Sequence, residues 1–200
     1  MGLWQGQADP GLSARGVAQA HALARALAGQ GIEAIVASDL RRARETARIV
    51  AEALGLELVC EPRLRERDLG AWSGLTTPQI AGRWPAELAR VRARDPDFRP
   101  GGGESIRDVR ARVGAFLREL AERPGPARWA VVTHGGVIRA LRPAAAGPIA
   151  NTEFATVELA ELLAELDPLA TPAAAPPAGV PARAAAGAAP VPADADAERV

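Results

Sequence analysis

The chain has 200 residues, 48% apolar and 24% charged, an ordinary composition for a globular protein of one domain plus a tail. Its 24 basic residues, all arginine, balance 24 acidic ones, which argues against binding built on phosphate neutralisation along a nucleic acid. The single cysteine, Cys60, excludes an internal disulfide and a cysteine-built metal site, and no apolar run reaches the ~18 residues of a membrane span.

The start, Met1-Gly2-Leu3-Trp4-Gln5-Gly6, lacks a basic region followed by an apolar one, so no signal peptide is expected. Ser13 is placed to cap a helix over Ala14–Ala28, with Gly29 and Gly31 as stop signals. Ile32–Ala37 reads as a buried strand. Asp39 is placed to cap a helix over Leu40–Leu54, whose apolar positions recur at spacings of three and four. Leu56–Cys60 reads as a second strand, followed by a loop to Leu75. Thr77-Pro78 starts a short helix. Ser105 and Asp108 form an approximate capping box for a helix with Ile106, Val109, Val113, Phe116, Leu117 and Leu120 on one face. Trp129–Thr133 reads as a strand ending at His134-Gly135-Gly136; a short helix and an alternating stretch, Thr152 to Leu159, follow. Repeated helix–strand alternation predicts an α/β fold with a largely parallel sheet. From Asp167 to Val200, 14 of 34 residues are Ala and 7 are Pro. Few large apolar side chains remain there to offset ordering entropy, so residues 1–166 are expected to fold and residues 167–200 to form a disordered, spacer-like tail.

Four segments carry residues suited to chemistry. His134 follows an apolar strand and precedes two glycines and a helix, the place where open α/β sheets bind ligands. Ser38-Asp39-Leu40-Arg41-Arg42-Ala43 is also a strand end running into a helix, and a first-turn Arg there suits a bidentate clamp on phosphate or carboxylate, although a solvated helix face explains it as well. Glu66 lies in the loop Leu64–Gly74, where a carboxyl suits general acid–base work or merely faces solvent. Gly101-Gly102-Gly103 before Ser105 either cradles an anion or lets the chain enter the helix. The other histidine, His21, sits mid-helix and reads as a bystander.

Taken together, these segments resemble the histidine phosphatase superfamily, also called phosphoglycerate-mutase-like. The match runs in family order through Gln5-Gly6-Gln7-Ala8-Asp9-Pro10, Leu12–Gly16, Ser38–Ala43, Leu64-Arg65-Glu66 with Gly70-Ala71-Trp72-Ser73-Gly74, Gly102-Gly103-Glu104-Ser105 and His134-Gly135-Gly136. The resemblance implies a three-layer α/β/α sandwich and phosphoryl transfer through a phosphohistidine, without cofactor or metal. It further implies that Arg42 (favoured by register over Arg41) binds phosphate, that His134 binds the transferred phosphoryl group, and that Glu66 is the proton donor. The substrate implied is a small phosphate ester in the cytoplasm, with no nucleic acid or membrane partner.

The family's nucleophilic histidine lies in an Arg-His-Gly motif at the end of its first strand, and no such motif occurs here. The resemblance therefore implies that a strand and a loop of roughly 15–20 residues are missing ahead of Met1. A truncated reading frame is the favoured explanation and an inactive remnant the other. The expected function is phosphomonoester hydrolysis by the longer form, with these 200 residues inactive by themselves. A phosphoglycerate-type mutase and a catalytically dead phosphate-binding regulator are the alternatives. The short, Ala/Pro/Gly-rich Leu141–Ala150 compresses the spacing to Asn151-Thr152-Glu153 relative to the family.

Overall fold

A computed structural model describes residues 2–142 and 151–166. Its centre is a parallel sheet of β2 (Ala34–Ala37), β3 (Leu58–Cys60) and β5 (Trp129–Val132), in the order β3-β2-β5 among the described residues. Alternation along β2 decides which helices cover which face. Ile35 and Ala37 pack with Ala24 and Leu27 of α1 (Ala14–Leu27) and with Ala47, Val50 and Ala51 of α2 (Arg41–Leu54). Val36 packs on the opposite side with Val109, Val113, Phe116 and Leu117 of α5 (Ile106–Glu122) and Val137 of α6 (Gly135–Leu141). The result is the expected layering, helix on sheet on helix. Ser13 caps α1 by accepting from the Gly16 amide, and Ser105 with Asp108 forms a complete capping box on α5.

A second, smaller assembly lies beside this sandwich. The two-residue strands β1 (Leu3–Trp4) and β4 (Leu75–Thr76) pair antiparallel. They pack with α3 (Thr77–Arg83) and α4 (Pro85–Arg92) around fully buried Trp72, which meets Trp4 edge-on and stacks on Trp84. The pattern along the sequence predicted neither β1 nor β4, since two residues carry no periodicity.

Two expectations are corrected. Asp39 does not cap α2: Arg65 takes both of its carboxylate oxygens, Leu40 stands at the cap position without a side-chain bond, and the Arg41 amide is bonded by Asp9 from the N-terminal loop. The alternating stretch Thr152 to Leu159 is not a strand. Phe154 and Val157 are exposed and residues 153–158 are irregular, whereas Leu159, Leu162, Leu163 and Leu166 have helical spacing and seat α7 (Leu159–Leu166) on the α5 face. The expected tail, residues 167–200, and most of Leu141–Ala150 lie outside the described residues.

Candidate active site

Parallel strands bring their carboxyl ends to one edge of the sheet. The ladder continues past the strands: the Ser38 amide donates to Val132 O (2.9 Å) and the Glu61 amide to Ala37 O (2.8 Å). The Thr133 hydroxyl then ties the third strand end to Leu64 O at 2.7 Å. Ser38, His134 and the loop carrying Glu66 are thereby held side by side.

His134 is 6% exposed, and its Nε2 lies 2.8 Å from Ser38 Oγ. Its pKa is pushed down to about 3, first by burial and then by the positive charges of Arg42 and Arg112, with Asp39 opposing. The imidazole is therefore neutral at physiological pH. Glu66 holds its carboxylate across two backbone amides, its own neighbour Arg67 (2.8 Å) and Gly136 in the first turn of α6 (3.0 Å). A Cβ on Gly136 would sit 2.1 Å from Glu66 Oε1, so the carboxyl group would have to leave its present seat to admit one. The Glu66 carbonyl is held by Gln7 (3.2 Å) and Arg112 (3.3 Å).

Arg42 is half-buried and donates to Ala8 O (2.6 Å) and Gly6 O (2.9 Å), so among the described residues two of its five N–H groups are engaged and three remain. Burial lowers its pKa, with Glu66 and Asp9 opposing, and guanidinium stays charged in proteins. Arg41 is exposed and paired with Glu45 at 2.7 Å.

Behind these groups stands an ion pair that the sequence did not suggest. Arg112 of α5 forks onto both oxygens of Glu104 (2.8 and 2.9 Å) and donates to Arg63 O (2.6 Å). Glu104 also accepts from the Asp68 amide at 2.9 Å. The Pro100–Ser105 glycines do not cradle an anion. The amides of Gly102, Gly103 and Glu104 are bonded to Arg99, Pro100 and Asp68 carbonyls. The glycines instead let two loops touch backbone to backbone, where a Cβ on Gly70 would meet Gly101 O at 2.1 Å.

The structure thus brings Arg42, Glu66 and His134 together and leaves His21 out. His21 is exposed and lines a groove between α1 and α2 with Leu12, Val17, Arg44 and Ile49. Ser38, Gln7 and Arg112 are members that sequence reading left unassigned. Ser38 and Gln7 lay inside matched segments, whereas nothing local marked Arg112.

A buried neutral imidazole, a half-buried guanidinium with spare donors and a positioned carboxylate at one strand edge suit phosphoryl chemistry. The chain belongs to the histidine phosphatase superfamily (branch 1), whose family description matches residues 1–163. Phosphoserine phosphatase 1 of Hydrogenobacter thermophilus is 36% identical over 141 residues, covering 70% of this chain and 67% of that protein. The 2,3-bisphosphoglycerate-dependent phosphoglycerate mutase of Sinorhizobium fredii is 38% identical over 146 residues, covering 70% and 69%. Among solved structures, mycobacterial glucosyl-3-phosphoglycerate phosphatase in complex with VO3 matches with a TM-score of 0.64 and 42% identity, covering 70% of this chain and 71% of that one. The alpha-ribazole phosphatase from Shigella flexneri matches with a TM-score of 0.61 and 28% identity, covering 68% of each chain. The similar proteins are phosphatases and mutases, so the enzymology of the family is phosphoryl transfer.

Proposed function

We propose that this site receives the phosphoryl group of a small cytoplasmic phosphate monoester, and that its chemistry is hydrolysis through a phosphohistidine. The observation that carries the reading is the convergence of Arg42, His134 and Glu66 at one edge of the sheet. Arg42 and His134 donate to the phosphoryl oxygens. An attacking imidazole, which these 200 residues do not supply, forms the P–N bond as the P–O bond to the leaving alkoxide breaks, and Glu66, entering the step as the carboxylic acid, gives its proton to the alkoxide and becomes the carboxylate. Glu66 then takes a proton from the water that breaks the P–N bond, and phosphate leaves. Relatives over a third identical to this chain include both phosphatases and a phosphoglycerate mutase, so phosphate relocation stands as the second reading beside hydrolysis.

No Arg-His-Gly occurs in these 200 residues, and His134 is the site's one imidazole among the described residues. We therefore expect the 200-residue chain to bind phosphate with turnover close to background. Hydrolysis of p-nitrophenyl phosphate and binding of inorganic phosphate test both halves. Saturable phosphate binding that Arg42→Ala abolishes, with background hydrolysis, is the expected result. Fast hydrolysis that His134→Ala removes would make His134 itself the nucleophile and overturn the division of roles.

A further inference from the structure

The Ser38 hydroxyl is completely buried and has two hydrogen-bond contacts, and these determine where its proton goes. The Leu40 amide donates to Ser38 Oγ (3.2 Å), so this contact uses an oxygen lone pair. The other contact is His134 Nε2 at 2.8 Å. If Nε2 carried a proton, Ser38 would accept a second time and its own proton would be buried with no acceptor among the described residues. A buried unsatisfied donor is the more costly arrangement. If instead Ser38 donates to Nε2, every group in the chain Leu40 N–H, Ser38 O–H, His134 Nε2 is satisfied, and the imidazole proton must sit on Nδ1.

The other nitrogen fits this. His134 Nδ1 has no hydrogen-bond partner among the described residues. Nδ1 is therefore the ring nitrogen left for a ligand, on a residue that keeps 6% of its surface exposed. Arg42 and Arg112 both act on this ring through their charge, so a ligand that sits among the three is an anion.

We infer that Ser38 is a positioning residue that locks neutral His134 in the Nδ1–H tautomer, so that the imidazole presents a fixed N–H donor to a bound phosphoryl oxygen. Ser38 itself touches no ligand. Without its hydroxyl the ring is free to place its proton on Nε2, which aims the donor at the core and leaves a lone pair facing the anion. This inference rests on the phosphoryl-binding reading for its ligand, and the experiment separates the two.

The chain has only two histidines, so long-range proton–nitrogen correlation spectra of the nitrogen-15-labelled protein resolve both rings, with His21→Gln assigning them. The unsubstituted protein at neutral pH is expected to show His134 with a protonated Nδ1 and an unprotonated Nε2. Ser38→Ala is expected to move the ring toward the Nε2–H form, and Ser38→Thr, which keeps a hydroxyl, to retain the original pattern. If the alanine variant leaves a fifth of the rings in the competent tautomer, inorganic phosphate binds it roughly fivefold more weakly. A protonated Nε2 in the unsubstituted protein overturns the inference outright and needs no variant to fold. An unchanged tautomer in folded Ser38→Ala also overturns it. The expected tautomer, with His134 resonances that inorganic phosphate leaves unmoved, overturns the phosphoryl-binding reading while the hydroxyl's control of the ring stands.

Discussion

Two residue-scale contrasts separate the roles of neighbours that look alike in the sequence. Arg41 and Arg42 are adjacent, yet one faces solvent against Glu45 and the other is half-buried beside Glu66. Arg42→Lys keeps the charge but loses the planar fork that bridges Gly6 O and Ala8 O while presenting further donors. Phosphate affinity is expected to fall about tenfold or more, about 1.4 kcal/mol, whereas Arg41→Ala changes it less than about twofold. Calorimetric titration of inorganic phosphate into both variants checks the pair, and equal losses would contradict the assignment of Arg42. Gly136 gives the second contrast. Alanine in a helical turn is ordinarily stabilising by about 0.5–1 kcal/mol relative to glycine. Here the new methyl would push the Glu66 carboxyl group off the Arg67 and Gly136 amides, so Gly136→Ala is expected to cost about 0.5–1.5 kcal/mol instead. In a Glu66→Ala background the same change loses its penalty. Urea unfolding of the four proteins reads the coupling, and additive effects would show that the carboxylate is not seated against that turn.

At the scale of elements, two site helices begin with amides bonded by carboxylates distant in sequence. Asp9 reaches the Arg41 amide of α2, and Glu66 reaches the Gly136 amide of α6. Glu45 returns the contact by accepting from the Leu12 amide at 2.7 Å, so the loop over residues 6–12 is docked on α2 by Asp9, Glu45 and Arg42 together. Asp9→Ala is expected to destabilise by about 1 kcal/mol, as losing a local cap would, and to loosen that loop. Hydrogen exchange of the Arg41 and Leu12 amides measures the second effect, and protection unchanged from the parent would refute it. This arrangement also marks what the sequence could and could not disclose. The long amphipathic helices and their local caps at Ser13 and Ser105 were legible because each signal lies within four residues of its effect. The cap on α2 was misread because Asp39 has the right spacing, and only the fold reveals that Arg65 claims it. Arg112 was invisible for the same reason, since its partners Glu104, Arg63 and Glu66 meet it only when the loops close. The motif order identified Arg42, Glu66 and His134 as a set without any of these contacts.

For the whole molecule, the decisive feature is an imidazole buried at the carboxyl edge of the sheet and held neutral. Its ordinary value of about 6.5 in the unfolded chain falls to about 3 in the folded one, because burial and the charges of Arg42 and Arg112 outweigh Asp39. Between those values the unfolded state binds the proton and the folded state does not, so folding stability rises with pH and is lost as pH falls. The slope approaches about 1.4 kcal/mol per pH unit below 6.5, and the loss between pH 7 and pH 5 is about 2 kcal/mol from this group alone. Carboxylates add little in that interval, since their unfolded values lie near 4; the Asp39–Arg65 pair, with Asp39 depressed by its guanidinium partner, weakens only at lower pH. Urea midpoints at half-unit steps from pH 7.5 to 5 are therefore expected to drop steadily in the parent protein. His134→Gln, whose amide can still meet the Ser38 hydroxyl, is expected to flatten the curve over the same range. A parent midpoint that stays level, or a glutamine variant that retains the full slope, would mean that His134 takes up its proton in the folded state as readily as in water. The site would then be open and solvated, incompatible with an imidazole kept neutral to serve as a fixed donor.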